Sequence, residues 1–252
     1  LFQVQPAEAR RTSLMFLYLL LGMSAFILGR TVRDTLFLSY YKVSNLPIMY
    51  IMVAVVVGAV AVLYSRFADR FRRDRLIFGI DLGLAVGMLV SYYLVYAQAK
   101  HDVTQFRPGP WVYPAFYIFV EVMGSLIVVT FWTFANDLFT SREAKRLFSI
   151  IGAGGVFANV VSGFFTGWLV KSAGMNTIDL ILLTGADLFC GALVIQLAGR
   201  GKQFTLKAPT PRKGASLFGD VRDVFSSKHL AYVALVVAVM SVAITFVDYT
   251  FK

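Results

Sequence analysis

The chain has 252 residues, of which 58% are hydrophobic and only 15% are charged, and its mean hydropathy is +0.70. Soluble domains carry about a quarter charged residues, so this composition excludes a water-soluble globular protein, and its hydrophobicity also excludes a disordered one. The single cysteine excludes a disulfide-stapled secreted fold. The composition therefore predicts an all-α polytopic membrane protein.

Seven apolar stretches are long enough to cross a bilayer, which takes about 20 mostly apolar residues in a helix. They predict helices over 13–40, 47–67, 76–98, 111–139, 145–170, 177–198 and 230–252. We expect 1–198 to form an N-terminal six-helix bundle and 199–229 to be a basic cytoplasmic linker. Residues 230–252 would be the first helix of a second bundle, and we expect further domains after Lys252.

The basic residues are unevenly distributed between the predicted loops. With a cytoplasmic N-terminus, most of the 24 Lys and Arg residues fall on that side, above all in 66–75 and 199–229. Because Lys and Arg accumulate in cytoplasmic loops, we expect a multi-pass protein of the cell (inner) membrane with its N-terminus in the cytoplasm. The net charge of +10 then reflects membrane topology, and no nucleic-acid partner is expected.

Ionisable side chains also lie within the predicted helices, where they are costly unless they pair or line an aqueous cavity. At 1.5 Å per residue, Arg33, Glu121 and Asp248 reach a common layer near the membrane midplane, which predicts a solvated cavity. Arg30 and Asp34 are four residues apart and are expected to pair within their helix. A second interpretation stays open, in which Arg33 and either Glu121 or Asp248 form a purely structural ion pair.

Two motifs around the fourth and fifth helices suggest a family. Residues 121–136 read EVMGSLIVVTFWTFAN, and residues 142–146 read REAKR. This block resembles the nucleotide (ATP/ADP) transporter family of plastids and obligate intracellular bacteria, which carries a Glu, then Phe-Trp-x-Phe-Ala-Asn, then Glu-Ala-Lys-Arg. Residues 33–36 and 248–252 look like two further family motifs, Lys-Asp-Thr-Leu and Glu-x-Thr-Trp-Lys. The resemblance implies a major-facilitator-like architecture, of which this chain holds six helices and the start of a seventh.

The resemblance also implies roles for individual residues. It implies substrate binding by Arg33, Glu121 and Asp248, and it extends to Asn136 and Lys252 of the same motifs. Arg33 stands where the family has Lys and Asp248 where it has Glu, so we expect a nucleotide or another phosphorylated or anionic metabolite as substrate. Transport would follow alternating access, by exchange or with proton coupling. Arg33 would bind the anion, and Glu121 would carry the proton if transport is coupled.

A further group of charges is expected to hold or gate the helices. The loop that begins at Asp69 is similar to the signature that major facilitators carry between helices 2 and 3. The predicted gating or structural charges are Arg30, Asp34, Asp69, Arg70 and Arg73. Asp81, one turn into the third helix, is expected to pair with the arginines of 66–75.

Two other classes remain as alternatives. A major-facilitator-like domain that no longer transports would serve as the membrane part of a sensor or scaffold. A seven-helix retinal protein is suggested by the spacing of Asp248 and Lys252, although the first helix carries two arginines. An enzyme is not expected, because the two histidines have no nucleophile–carboxylate arrangement near them. No cofactor and no metal ion are expected.

Overall fold

The computed structural model describes residues 6–68, 73–99, 111–172, 174–199 and 228–250. This part of the chain is built from seven α-helices and one short 3-10 turn, Val43–Asn45. The helices are α1 Pro6–Tyr40, α2 Leu46–Ala68, α3 Arg73–Ala99, α4 Val112–Leu138, α5 Ser141–Lys171, α6 Leu180–Gly199 and α7 Lys228–Thr250. The prediction of an all-α polytopic membrane protein is confirmed.

Six of the described helices, α1 to α6, are long and apolar enough to cross a membrane. In α7 the corresponding apolar stretch is the shorter Val239–Thr250. The helix itself begins at Lys228 and includes polar residues in its first turn. At the N-terminal side of the bundle, α1 begins at Pro6, several residues before the predicted span. Proline is compatible with the first turn of a helix because no intrahelical hydrogen bond needs its missing N–H.

The helix α1 lies at the centre of the bundle and packs against α4, α5 and α6. The helix α3 packs against α6 and α4, and α2 packs against α4. Small residues allow the close approach of α1 to its neighbours: a Cβ at Gly22 would lie 2.8 Å from Ile127, and a Cβ at Gly124 would overlap the ring of Phe26. The tight α1–α4 contact holds the charged residues of these two helices side by side.

A capping box starts α5 directly after α4. The Glu143 backbone N–H donates to the Thr140 hydroxyl, and the Thr140 backbone N–H donates to Glu143 Oε2 at 2.8 Å. One turn later, Arg146 Nη2 donates to both carboxylate oxygens of Glu8 in α1, at 2.9 and 3.0 Å. These contacts explain the 142–146 motif locally, because its acidic residue starts α5 and its last arginine ties α5 to α1.

Candidate functional site

A cavity of about 450 Å³ lies between α1, α2, α4 and α7. Among the described residues, three charged side chains line it: Arg30 from α1, Glu121 from α4 and Asp248 from α7. The other lining residues are Phe26, Tyr50, Val53, Ala54, Val57, Ser125, Ser241 and Thr245. Two of the three residues of the predicted charged layer, Glu121 and Asp248, therefore line one cavity between four helices, and Arg30 lines it in place of Arg33.

Arg33 lies behind Glu121 and is almost fully enclosed, with 1% of its side chain exposed. Its Nη1 donates to Glu121 Oε1, and its Nε donates to Asp34 Oδ1 at 3.1 Å. The guanidinium carbon also lies 4.2 Å from the centre of the Tyr117 ring, which is a cation–π contact. The Arg33–Glu121 contact is one of the pairs expected under the structural interpretation, and it joins α1 to α4.

Arg30 makes the second ion pair of the cavity, and this pair joins α1 to α7. Its Nη2 donates to Asp248 Oδ1, and the Tyr50 hydroxyl donates to Asp248 Oδ2 at 3.1 Å. The expected pairing of Arg30 with Asp34 is therefore corrected: Arg30 binds Asp248, and Asp34 binds Arg33. The long Arg30 side chain extends to α7, where the Asp248 carboxylate faces it. Asp34 instead accepts a hydrogen bond from the neighbouring Arg33.

The two arginines differ in how accessible their guanidinium groups are. The Arg30 side chain is 40% exposed and lines the cavity, whereas Arg33 is shielded by Tyr117, Asp34 and Glu121. A solute that enters the cavity therefore meets Arg30 first. The assignment of Arg33 as the anion-binding residue stays a prediction, because in this conformation its Nε and Nη1 already donate to protein carboxylates.

The remaining predicted site residues lie away from the cavity or outside the described residues. Asn136 is exposed near the end of α4, about 22 Å along the helix from Glu121, because fifteen residues separate them. Arg73 begins α3, but its side chain is not described. The predictions for Lys252, Asp69 and Arg70 lie outside the described residues.

Two tyrosines take part in the site without having been predicted. Tyr117 precedes Glu121 by four residues, which places both on one face of α4, and this spacing was a usable signal. Tyr50 stands near the start of the apolar helix α2, where aromatic residues commonly mark the membrane interface. Nothing in the local pattern distinguishes it from such an interface residue.

The fold and the cavity together define a class: a multi-pass helical membrane protein that encloses ionisable side chains from several helices. The family model of the TLC ATP/ADP transporter matches residues 97–197. The chain resembles this family of ATP/ADP transporters over the matched residues, and the resemblance found in its motifs is confirmed. The matched family consists of transporters and not of enzymes, as expected from the sequence.

Three curated relatives are similar to the chain. The plastidic ATP/ADP-transporter of Solanum tuberosum is 26% identical over 226 residues, which cover 75% of this chain and 35% of the relative. The ADP,ATP carrier protein 1 of Chlamydia pneumoniae is 26% identical over 163 residues, covering 56% and 32%. The ADP,ATP carrier protein 3 of Rickettsia typhi is 30% identical over 89 residues, covering 34% and 17%. The chain spans about a third of the length of the first two, and no solved structure matches it.

Proposed function

We propose that the protein transports a nucleotide or another phosphorylated or anionic metabolite across the cell (inner) membrane by alternating access. The observation that carries this proposal is the half-exposed Arg30 guanidinium in a cavity shared by α1, α2, α4 and α7. An arginine in such a place binds a phosphate group through two parallel hydrogen bonds. The names of the curated relatives, which are ATP/ADP transporters and ADP,ATP carriers, agree with a nucleotide as the substrate.

The proposed transport step is an exchange of partners at Arg30. A phosphate oxygen replaces the Asp248 carboxylate on the guanidinium, and Asp248 keeps its hydrogen bond from Tyr50. The link between α1 and α7 is then broken, and α7 is free to move relative to α1. The Arg33–Glu121 pair stays closed throughout and holds α1 to α4. Binding of the anion is thereby coupled to a rearrangement at the cavity.

The proposed architecture places residues 1–198 in one six-helix bundle of a major-facilitator arrangement, with 199–229 as linker and α7 as the start of a second bundle. Two features support it. Asp248 connects α7 to Arg30 and Tyr50 at the cavity, and the large apolar side chains described along α7, such as Val239 and Phe246, are exposed. A helix with such a surface needs further apolar partners or lipid. The positive-inside bias supports a cytoplasmic N-terminus.

The test is solute exchange by the full-length protein in lipid vesicles. Vesicles loaded with ADP should take up labelled ATP, and if they do not, the screen continues with other nucleotides and phosphorylated metabolites. For the solute that is carried, Arg30→Ala should abolish uptake, whereas Arg142→Ala, which removes an exposed guanidinium at the start of α5, should leave uptake unchanged. Full uptake by Arg30→Ala would contradict the proposed site. Absence of exchange for every solute would favour the non-transporting alternative.

A further inference from the structure

Asp81 of α3 is a buried carboxyl group outside the charged cavity. It is 2% exposed and lies about 12 Å along the helix from Arg73, since eight residues separate them. The Tyr18 hydroxyl of α1 is hydrogen-bonded to it, and Tyr18 itself is 3% exposed. The second carboxyl oxygen, Asp81 Oδ2, is buried without a hydrogen-bond partner among the described residues. The expected pairing with the arginines of 66–75 is not among the ion pairs of the described part of the chain.

The surroundings of Asp81 supply no compensating charge in the part of the chain that the structure describes. Among the titratable side chains of the described residues, Tyr18 of α1 interacts directly with Asp81, and Tyr64 of α2 lies close to Tyr18. Glu121 is held by Arg33. A carboxylate buried without a cation is strongly disfavoured, so this environment favours the neutral acid.

The hydrogen bonds around Tyr18 leave one Asp81 oxygen unsatisfied. The Tyr18 hydroxyl is hydrogen-bonded to Asp81 and also lies 3.5 Å from Thr130 Oγ1, and the Thr130 hydroxyl donates to the Leu126 carbonyl at 2.7 Å. Tyr18 has one proton, so it donates at most one hydrogen bond to Asp81. Asp81 Oδ2 is left buried and without a donor among the described residues, and a carboxylate there would lack compensation that the neutral acid does not need.

We propose that Asp81, together with Tyr18, is a proton-binding site in the N-terminal half of the bundle, separate from the charged cavity. Asp81 holds the proton on its carboxyl group in this conformation. When α1 and α3 separate and water enters, the proton passes to water and leaves the carboxylate hydrated. This assignment moves proton binding from Glu121, which is ion-paired with Arg33, to a carboxyl that has no cation beside it among the described residues. It does not depend on which solute the protein carries.

Infrared spectroscopy of the full-length protein in lipid at neutral pH tests the site without requiring transport. The wild-type spectrum should contain the carbonyl band of a protonated carboxylic acid that shifts in D₂O. This band should be lost in Asp81→Asn and kept in Asp187→Asn, which is the matched control because Asp187 is a partly buried carboxyl on the neighbouring helix α6. A wild-type spectrum without such a band, or a band lost only in Asp187→Asn, would overturn the proposal.

A second variant keeps the test decisive if Asp81→Asn does not fold. Tyr18→Phe removes the hydroxyl that is hydrogen-bonded to Asp81 and leaves the carboxyl group in place. The band should persist in this variant but move to higher frequency, because the acid has lost a hydrogen bond. An unchanged band position would contradict the assignment of the proton to the Asp81–Tyr18 pair.

Discussion

Arg30 and Asp248 form an ion pair between α1 and α7, although 218 positions separate them in the chain. Tyr50 of α2 donates to the other oxygen of the same carboxylate, so three helices meet at Asp248. Three of the large apolar side chains described on α7, at positions 239, 242 and 246, are exposed. Polar contacts at Asp248 therefore join α7 to the cavity, and these are contacts that an anion is able to replace.

Neutralising Asp248 tests whether this carboxylate competes with the substrate. Asp248→Asn should raise the affinity for ATP by up to about fivefold, because a partly exposed ion pair contributes at most about 1 kcal/mol. Exchange should become slower, since the bound anion no longer has a competitor that helps to release it. Isothermal titration of the full-length protein measures the affinity, and vesicle uptake measures the rate. Weaker binding by Asp248→Asn would show that Asp248 contacts the substrate directly.

Removing Arg33 should mainly affect stability. Arg33→Ala leaves Glu121 without its partner, and breaking a buried pair costs about 3–5 kcal/mol. We expect the lower end of this range because Glu121 reaches the cavity. Arg33→Ala combined with Glu121→Gln should recover much of the thermal stability. The stability of Arg33→Lys should lie between those of the wild type and Arg33→Ala, because lysine keeps the charge but lacks the planar guanidinium that contacts Tyr117 and Asp34. Thermal unfolding in detergent and the folded yield are the measurements.

The same variants distinguish the two roles of Arg33. If Arg33 binds the transported anion, Arg33→Ala should keep a normal folded yield and unfolding temperature while exchange is lost. That outcome would contradict the structural role and restore the prediction made from the family resemblance.

A methyl group at Gly154 should destabilise the contact between α5 and α1. A Cβ there would lie 2.8 Å from the Phe16 carbonyl oxygen, which belongs to the backbone of α1 and cannot move by itself. We expect Gly154→Ala to cost about 1–3 kcal/mol, the usual cost of overpacking. Gly163→Ala on the same helix is the matched control, because nothing lies within 4 Å of its Cβ position. Equal unfolding temperatures for the two variants would show that α1 and α5 can move apart enough to accommodate the methyl group without loss of stability.

The capping box at the start of α5 should contribute measurably to stability. Thr140→Ala removes the hydroxyl that accepts the Glu143 N–H and should cost about 1 kcal/mol, whereas Thr140→Ser should retain most of the cap. Arg146→Ala removes a half-exposed ion pair with Glu8 and should cost less than about 1 kcal/mol. Thermal unfolding distinguishes these cases, and a larger loss for Arg146→Ala than for Thr140→Ala would contradict this order.

Part of the site was visible in the sequence and part was not. Charges in apolar helices identified Arg30, Arg33, Glu121 and Asp248, because a charge within a span is conspicuous wherever it occurs. The contact of Tyr50 with Asp248 of α7 could not be predicted, because a tyrosine in an apolar helix does not stand out as a charged residue does. Asn136 belongs to a motif with Glu121, but the helical rise takes it to the far end of α4. A shared motif therefore does not imply a shared site.

The sequence by itself determined that this is a helical membrane protein, where its apolar helices lie and which charges are enclosed. These properties depend on length, hydropathy and spacing, which act along a single helix. Only the tertiary structure decided that Arg33 binds Glu121 while Arg30 faces the cavity and Asp248. The two arginines are three residues apart and about 60° apart around α1, so their partners depend on how neighbouring helices are rotated and how closely they approach. The close approach at Gly22 and Gly124 places α4 against α1. The resulting arrangement depends on many contacts between helices, which the sequence of one helix does not specify.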